Sequence, residues 1–148
     1  MSGEPLTILL IEDNDDHAEL VARSFEDNLV ANQIRRACDG EEALDYLFHQ
    51  GKFQNPKDSP QPNLILLDLR LPKVEGLEVL KEIKASEKLK KIPVVVLTSS
   101  AGEADVARAY SNYANSYVVK PLDFTKFIQL MKELGFYWLG WNINPLIN

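Results

Sequence analysis

The sequence predicts an α/β fold built on a doubly wound, five-stranded parallel sheet. Segments typical of strands and segments typical of helices alternate five times along the 148 residues. Three of the strand segments are apolar without alternation, which is typical of strands that are covered on both faces. Strands that alternate with helices are joined by right-handed crossovers, so we expect helices on both faces of the sheet.

The order of the elements follows from the hydrophobic pattern and the turn residues. The predicted strands are 7–11, 33–38, 64–67, 92–97 and 116–119. The predicted helices are 17–25, 41–49, 74–86, 103–112 and 124 to about 134. The second strand is more polar than the others, which favours a position at the sheet edge. We expect the flavodoxin-like strand order 2-1-3-4-5 with five helices.

Local signals refine the first two helices and the connection that follows them. Asp15 or Asp16 is the expected N-cap of the first helix. The segment 50–61 contains two prolines and is predicted to be an exposed surface loop. The second helix is amphipathic, with an expected buried side of Ala43, Leu44, Leu47 and Phe48.

Length and charge set limits on the class of protein. A chain of 148 residues supports one domain, here with a core of about 6–134 and a short aromatic C-terminal extension, 135–148. The net charge of -6 argues against a nucleic-acid partner. No apolar run exceeds four residues, so no membrane span is expected, and the start of the chain lacks a basic leader. With a single cysteine, Cys38, these features predict a soluble cytoplasmic protein.

Polar residues stand at the ends of four of the predicted strands. Glu12 and Asp13 follow the first strand, Asp68 the third, Thr98 ends the fourth, and Lys120 follows the fifth. An aspartate after a strand commonly caps a turn, and a threonine there is commonly a strand residue. In the expected strand order these groups converge at the switch point of the sheet, where α/β proteins bind ligands.

The charges of this set predict a metal site. Three carboxylates about 5 Å apart repel each other by roughly 3 kcal/mol per pair at an effective dielectric near 20. Lys120 offsets one of these charges, so a divalent cation matches the remainder. Oxygen ligands select a hard ion, and a site with few protein ligands suits Mg²⁺. His17 is interpreted as an exposed residue of the first helical turn, since two histidines and one cysteine cannot assemble a zinc site.

A carboxylate, a hard cation, a lysine and a hydroxyl together predict a phosphoryl-transfer site. Asp68 would be the nucleophile, which gives an aspartyl phosphate. Mg²⁺ and Lys120 would neutralise the phosphoryl oxygens, and the Thr98 hydroxyl would hydrogen-bond one of them. The nucleotide-binding fingerprints GxGxxG and the P-loop are absent from the sequence.

The whole set resembles the receiver domain of two-component response regulators over roughly 6–134. The matching features are Glu12-Asp13, Asp68 followed by Leu71-Pro72 and Gly76, Thr98-Ser99, and Tyr117 ahead of Lys120-Pro121. The resemblance implies a phosphoacceptor at Asp68, an assisting acid at Glu12, phosphate contacts from Thr98 and Lys120, and an aromatic switch at Tyr117. The implied metal ligands are Asp13, Asp68, Glu12 and the backbone carbonyl of Arg70. It also implies a cis peptide before Pro121.

A narrower resemblance concerns the partner. The stretches 62–73 and 89–100, the long loop before Pro62 and the aromatic tail are similar to small regulators paired with bacterial phytochrome kinases. This implies phosphorylation by a sensor histidine kinase, of phytochrome type on the narrower resemblance. Arg70 and Ser100 stand at positions that vary between receivers and tune dephosphorylation, so the lifetime of the phosphate stays open.

Alternatives to this interpretation differ in one feature each. A phosphatase of the haloacid-dehalogenase type would need a general acid at the position of Arg70, so this sequence lacks that acid. An FMN binder is disfavoured because Glu12 and Asp13 would repel the flavin phosphate. A receiver-like module that is never phosphorylated needs an assay to be excluded. The aromatic residues of 135–148 either fold onto the last helix or, with the last two helices, form a homodimer face.

Overall fold

The computed structural model describes residues 7–27, 33–98, 103–114, 116–120, 125–126, 129–130 and 133. The strands are β1 (Thr7–Ile11), β2 (Gln33–Ala37), β3 (Leu64–Leu67), β4 (Val94–Thr98) and β5 (Ser116–Val119). The helices with assigned bounds are α1 (Asp15–Asp27), α2 (Gly40–Phe48), α3 (Gly76–Ala85) and α4 (Glu103–Ser111). Two short 3₁₀ turns, Gly51–Phe53 and Pro56–Asp58, lie between α2 and β3.

The five strands form one parallel sheet in the order β2-β1-β3-β4-β5. This confirms the predicted fold class, strand order and edge position of the polar strand. Of the fifth predicted helix, the described residues 125–126, 129–130 and 133 are helical. The C-terminal extension 135–148 lies outside the described residues. Within the described part of the chain, no helix is both long and apolar enough to cross a bilayer.

Alternate residues of the central strands face opposite sides of the sheet, so the apolar core has two parts. One part joins Leu9 and Leu67 to residues of α2, α3 and α4 such as Leu80. The other joins Ile8 and Leu66 to α1. Because both faces are covered, the central strands are apolar throughout, and polar groups are confined to the strand ends.

The predicted cap of α1 is wrong. Asn14 rather than Asp15 or Asp16 caps this helix, because the Asn14 Oδ1 accepts the His17 backbone N–H at 3.0 Å and the Asn14 carbonyl accepts the Ala18 N–H at 3.0 Å. The helix therefore begins at Asp15. Asp15 and Asp16 both lie in its first turn, where their negative charges interact favourably with the helix dipole.

The predicted buried side of α2 is wrong at one position. Phe48 is 37% exposed, whereas Tyr46 is only 2% exposed. Tyr46 can be buried because its hydroxyl donates to the Pro60 carbonyl at 2.8 Å, while its ring packs edge-on against Phe53. The loop 50–61 is thus tied to the helix rather than being wholly exposed, and Ser59 within it is fully buried.

Candidate functional site

The ends of β1 and β3 bring Glu12 and Asp68 together. Ile11 pairs with Leu67, and each strand is followed at once by its carboxylate. The Asp68 backbone N–H donates to the Ile11 carbonyl at 3.0 Å, which continues the ladder by one residue. Glu12 is 2% exposed and Asp68 is 7% exposed, so both carboxylates lie inside the protein.

Lys120 connects the end of β5 to these two carboxylates. Its ammonium contacts Glu12 Oε1 and lies 3.1 Å from Asp68 Oδ2. The side chain is buried, as are both of its acidic partners. Buried charges are costly unless they are paired, so this lysine offsets part of the charge of the acidic groups.

A third carboxylate, that of Asp13, completes an acidic cluster at the strand ends. Oxygen atoms of Glu12, Asp13 and Asp68 all lie within 4.8 Å of one another. Three carboxylates and one lysine leave a formal charge of -2, which a divalent cation would balance. The donors are all oxygens and Asp13 is exposed, so the cluster suits a hard cation that keeps some of its water.

The start of α3 approaches the acidic cluster closely. A Cβ atom on Gly76 would lie 2.5 Å from the Asp68 carbonyl oxygen, so a larger residue there would displace the segment after Asp68. The Gly76 backbone N–H donates to the Leu69 carbonyl at 3.2 Å, and the Arg70 N–H donates to Asp68 Oδ1 at 3.0 Å. The backbone after β3 thereby fixes the orientation of the Asp68 carboxylate.

The two buried carboxylates have pKa values displaced in opposite directions. Burial raises the pKa of Glu12 to about 7, with the Asp68 charge adding to the effect and Lys120 opposing it. Burial also acts to raise the pKa of Asp68, but the Arg70 N–H and the Lys120 ammonium outweigh it, so this pKa lies below its ordinary value. At neutral pH Asp68 is therefore an ionised carboxylate held by two donors.

This arrangement has relatives among characterised proteins. The family model of the response regulator receiver domain matches residues 8–132. The chain belongs to this family. This confirms the resemblance drawn from the strand-end motifs.

Individual receivers match over nearly the whole chain. The probable methanogenesis regulatory protein FilR2 of Methanothrix harundinacea is 50% identical over 143 residues, which cover 96% of this chain and 89% of FilR2. Response regulator Rcp1 of Synechocystis is 40% identical over 93% of this chain and 92% of Rcp1. The Mn²⁺-bound structure of Rcp1 superimposes with a TM-score of 0.89 at 38% identity, covering 95% of this chain and 99% of that one. The phosphorylated cyanobacterial phytochrome regulator RcpA gives a TM-score of 0.91 at 37% identity, covering 96% and 99%.

The other predicted site residues of this receiver are placed less completely. Thr98 ends β4 at the same edge of the sheet, but its side chain lies outside the described part of the structure. Ser100 and Pro121, with the predicted cis peptide, also lie outside it. Tyr117 lies on β5, half-buried against the larger core cluster, and its backbone N–H donates to the Tyr110 hydroxyl at 3.2 Å.

Two residues of the receiver site were not predicted. His17 lies in the first turn of α1 as predicted, and 39% of its side chain is exposed, but the contact of its Nδ1 with Lys120 Nζ at 3.1 Å was not predicted. Burial and then the Lys120 charge lower the pKa of His17, which favours a neutral ring. Arg36, on β2, donates to the Glu12 carbonyl from Nε and Nη2 at 3.1 and 3.0 Å and pairs with Asp15 at 2.8 Å.

For His17 the sequence indicated the position in the first helical turn but not the contact with Lys120, and for Arg36 it gave no signal. The Asn14 cap sets His17 in the first turn of a helix whose N-terminus lies beside the acidic cluster. Arg36 reaches the cluster from the edge strand through its side chain alone, and an arginine in a polar strand carries no signal of that kind.

Proposed function

We propose that this receiver is a stand-alone response regulator that accepts a phosphoryl group on Asp68 from the phosphohistidine of a sensor histidine kinase, in a Mg²⁺-dependent reaction. The observation that carries the proposal is the buried, ionised Asp68 carboxylate, held between Lys120 and the Arg70 N–H beside two further carboxylates. The likeness to Rcp1, a response regulator of which the match covers 92%, also supports the proposal.

The transfer itself is a displacement at phosphorus. An Asp68 oxygen forms the new O–P bond while the N–P bond of the kinase phosphohistidine breaks, and the electron pair of that bond returns to the imidazole nitrogen. When bound, Mg²⁺ would supply positive charge to the phosphoryl oxygens, held by Asp13, Asp68, Glu12 and the Arg70 backbone carbonyl. The Lys120 ammonium, already 3.1 Å from Asp68 Oδ2, would neutralise the charge of one phosphoryl oxygen.

The signal would leave through a change at the surface. In the proposed switch, the Thr98 hydroxyl hydrogen-bonds the phosphoryl group and Tyr117 turns inward as the threonine moves. Tyr117 is half-buried on β5 and packs against the larger core cluster. A homodimer formed by the last two helices and the C-terminal extension is a further expectation, which sedimentation of the phosphorylated and unphosphorylated protein would test.

The sensor class of the kinase is a finer proposal. RcpA, a cyanobacterial phytochrome response regulator, supports a kinase of phytochrome type. FilR2, with higher identity, is a probable methanogenesis regulatory protein. The main proposal therefore specifies only the donor group, a phosphohistidine. A phosphotransfer assay with a purified phytochrome kinase tests whether this receiver pairs with a kinase of that class.

Intact-protein mass spectrometry tests the phosphorylation. The wild-type protein is exposed to a small-molecule phosphodonor with and without Mg²⁺, beside Asp68→Asn and the control Asp58→Asn, which makes the same change at an exposed loop position. We expect a single phosphoryl adduct in the wild type and in the control, dependent on Mg²⁺ and absent from Asp68→Asn. An adduct that persists in Asp68→Asn, or no adduct in any protein, would contradict the proposal and favour a binding module that is not phosphorylated.

A further inference from the structure

Three acceptors surround the Lys120 ammonium among the residues that the structure describes. They are Glu12 Oε1, Asp68 Oδ2 at 3.1 Å and His17 Nδ1 at 3.1 Å. Glu12 and Asp68 each have a part in the proposed phosphorylation, whereas that proposal assigns none to His17. The neighbouring carboxylate of Glu12 is 3.8 Å from the same ring nitrogen.

The direction of the contact between lysine and histidine follows from the atoms involved. A lysine ammonium carries three N–H donors and no acceptor. At 3.1 Å the His17 Nδ1 must therefore be the acceptor, with the ring proton on Nε2. The three donors of Lys120 thus match three acceptors, of which His17 is the one that is not a carboxylate.

Two of the three acceptors are tied to the same short segment of the chain. Glu12 directly follows β1, and His17 lies in the first turn of α1, where its backbone N–H is bonded to Asn14 Oδ1 at 3.0 Å. With two N–H groups directed at this segment, the tetrahedral ammonium points its third N–H at Asp68 Oδ2. That is the place where a phosphoryl group on Asp68 would offer its oxygens.

We propose that His17 is a positioning residue for phosphoryl transfer, which acts by holding the Lys120 ammonium so that one N–H stays aimed at the phosphoryl site. The inference rests on the proposed function at Asp68. On phosphorylation a phosphoryl oxygen replaces Asp68 Oδ2 as the third acceptor, while Glu12 and His17 keep the other two N–H groups. Without His17 the ammonium keeps only Glu12 and the acceptor at the phosphoryl site, and it rotates more freely.

Two substitutions of His17 separate the effect of losing the hydrogen-bond acceptor from the effect of losing the ring. The neighbours Ala18 and Val21 carry the apolar contacts of α1, whereas the His17 side chain is 39% exposed, so replacements there should fold. His17→Asn places an amide oxygen close to the position of Nδ1 and keeps an uncharged acceptor. His17→Phe keeps a ring of similar size and removes the acceptor.

The first readout is the rate of phosphorylation by a small-molecule phosphodonor at saturating Mg²⁺. We expect His17→Phe to be slowed roughly three- to tenfold, the equivalent of one hydrogen bond of typical strength, and His17→Asn to stay close to the wild type. His49→Asn, a change at the other histidine of the chain, should leave the rate unchanged. Equal rates in His17→Phe, His17→Asn and the wild type would overturn the inference.

A second set of variants separates positioning from a general structural role. In a Lys120→Ala background, the difference between His17→Phe and His17→Asn should vanish, because His17 acts through the lysine. A difference of the same size in both backgrounds would assign His17 a role independent of Lys120 and overturn the inference.

The second readout needs no phosphorylation. The ¹⁵N-edited NMR signal of the Lys120 ammonium should be protected from proton exchange in the wild type and in His17→Asn, and should exchange faster in His17→Phe. Unchanged exchange in His17→Phe would overturn the positioning role. A wild-type protein with a protected Lys120 signal but no phosphoryl adduct would instead contradict the proposed function.

Discussion

The two ends of the sheet both bury polar groups, but they do so in different ways. At the carboxyl end, three acidic side chains and one lysine lie together with an excess of negative charge. At the amino end, the pairs are neutral and reciprocal: the Thr7 N–H donates to Asn63 Oδ1 at 2.8 Å and the Asn63 N–H donates to the Thr7 carbonyl at 2.7 Å. One end is left with charge to balance and the other is not.

The loop before β3 extends the neutral pattern of the amino end. The buried Tyr46 hydroxyl donates to the Pro60 carbonyl, and the fully buried Ser59 hydroxyl donates to the Phe53 carbonyl at 3.3 Å. The His49 Nδ1 lies 2.9 Å from the same Ser59 oxygen, within donating distance. These bonds join α2 and the residue after it to the loop, and each of the buried polar groups has a partner, which is how such groups normally serve stability.

The comparison teaches how to separate structure from function among buried polar residues. Neutral groups with complete hydrogen bonding stabilise the fold in which they lie. Like charges that are buried together cost free energy in the isolated protein, and they are explained by a ligand of opposite charge. By this criterion the buried carboxylates of Glu12 and Asp68 point to a ligand site, which the exposed Asp13 adjoins, whereas Ser59 serves the fold.

The largest effect on stability should come from neutralising Glu12. Its pKa is raised from the ordinary value of 4.5 to about 7, chiefly by burial, so the folded protein retains a proton that the unfolded chain releases. The resulting stability is fully present below pH 4.5 and is lost as the pH rises to about 7. Glu12→Gln lacks this titration, and in metal-free buffer at pH 8 it should be more stable than the wild type by up to about 3 kcal/mol.

Urea denaturation at both ends of that pH window measures the effect. Near pH 4.5 the two proteins should differ little, since the wild-type Glu12 is protonated in the folded state and only half ionised in the unfolded chain. A variant that is less stable than the wild type at pH 8, or a difference that does not change with pH, would contradict the charge excess.

A smaller change in stability, opposite in sign, is expected for a variant at the amino end of the sheet. Ser59→Ala removes the hydroxyl that bonds to Phe53 and His49 in a fully buried position, and it should destabilise the protein by about 1 to 2 kcal/mol. Because Ser59 lies at the other end of the sheet, the rate of phosphorylation of Asp68 should not change. Ser111→Ala, at an exposed position, is the matched control. A slower phosphorylation in Ser59→Ala would show that the two ends are coupled.

The smallest effect is expected where charges pair in water. Arg23 and Glu19 lie 2.6 Å apart on α1, with side chains 70% and 59% exposed. Arg23→Gln should cost less than about 0.5 kcal/mol, since exposed pairs of this spacing contribute little. The cost should shrink further in high salt, measured by urea denaturation with and without added NaCl. A loss of stability in Arg23→Gln as large as the change expected for Glu12→Gln would contradict the argument that charges matter most where they are buried.

The sequence was sufficient to predict the fold and the three carboxylates of the acidic cluster. Uninterrupted apolar strands require a sheet covered on both faces, and the carboxyl ends of parallel strands share one edge. Glu12, Asp13 and Asp68 could therefore be placed together before any distance was known.

Features that depend on the direction of one side chain could not be predicted in the same way. Asn14 and its two acidic neighbours are all good N-caps, and only the backbone decides between them. Tyr46 and Phe48 both suit an apolar face, and the distant Pro60 carbonyl determines that the tyrosine is the buried one. The contact between His17 and Lys120 spans 103 positions of sequence, so no local pattern contains it.

The most direct test of the charge excess is the stability of the protein as a function of Mg²⁺ concentration. Urea denaturation at pH 8 is followed in Mg²⁺ and in Na⁺ of matched ionic strength, for the wild type and for Asp13→Asn. We expect a saturable, Mg²⁺-specific gain in the wild type, reaching about 2.7 kcal/mol at one hundred times the dissociation constant, and a much smaller gain in the variant. No gain over Na⁺, or the same gain in both proteins, would contradict a cation site at the carboxyl end of the sheet.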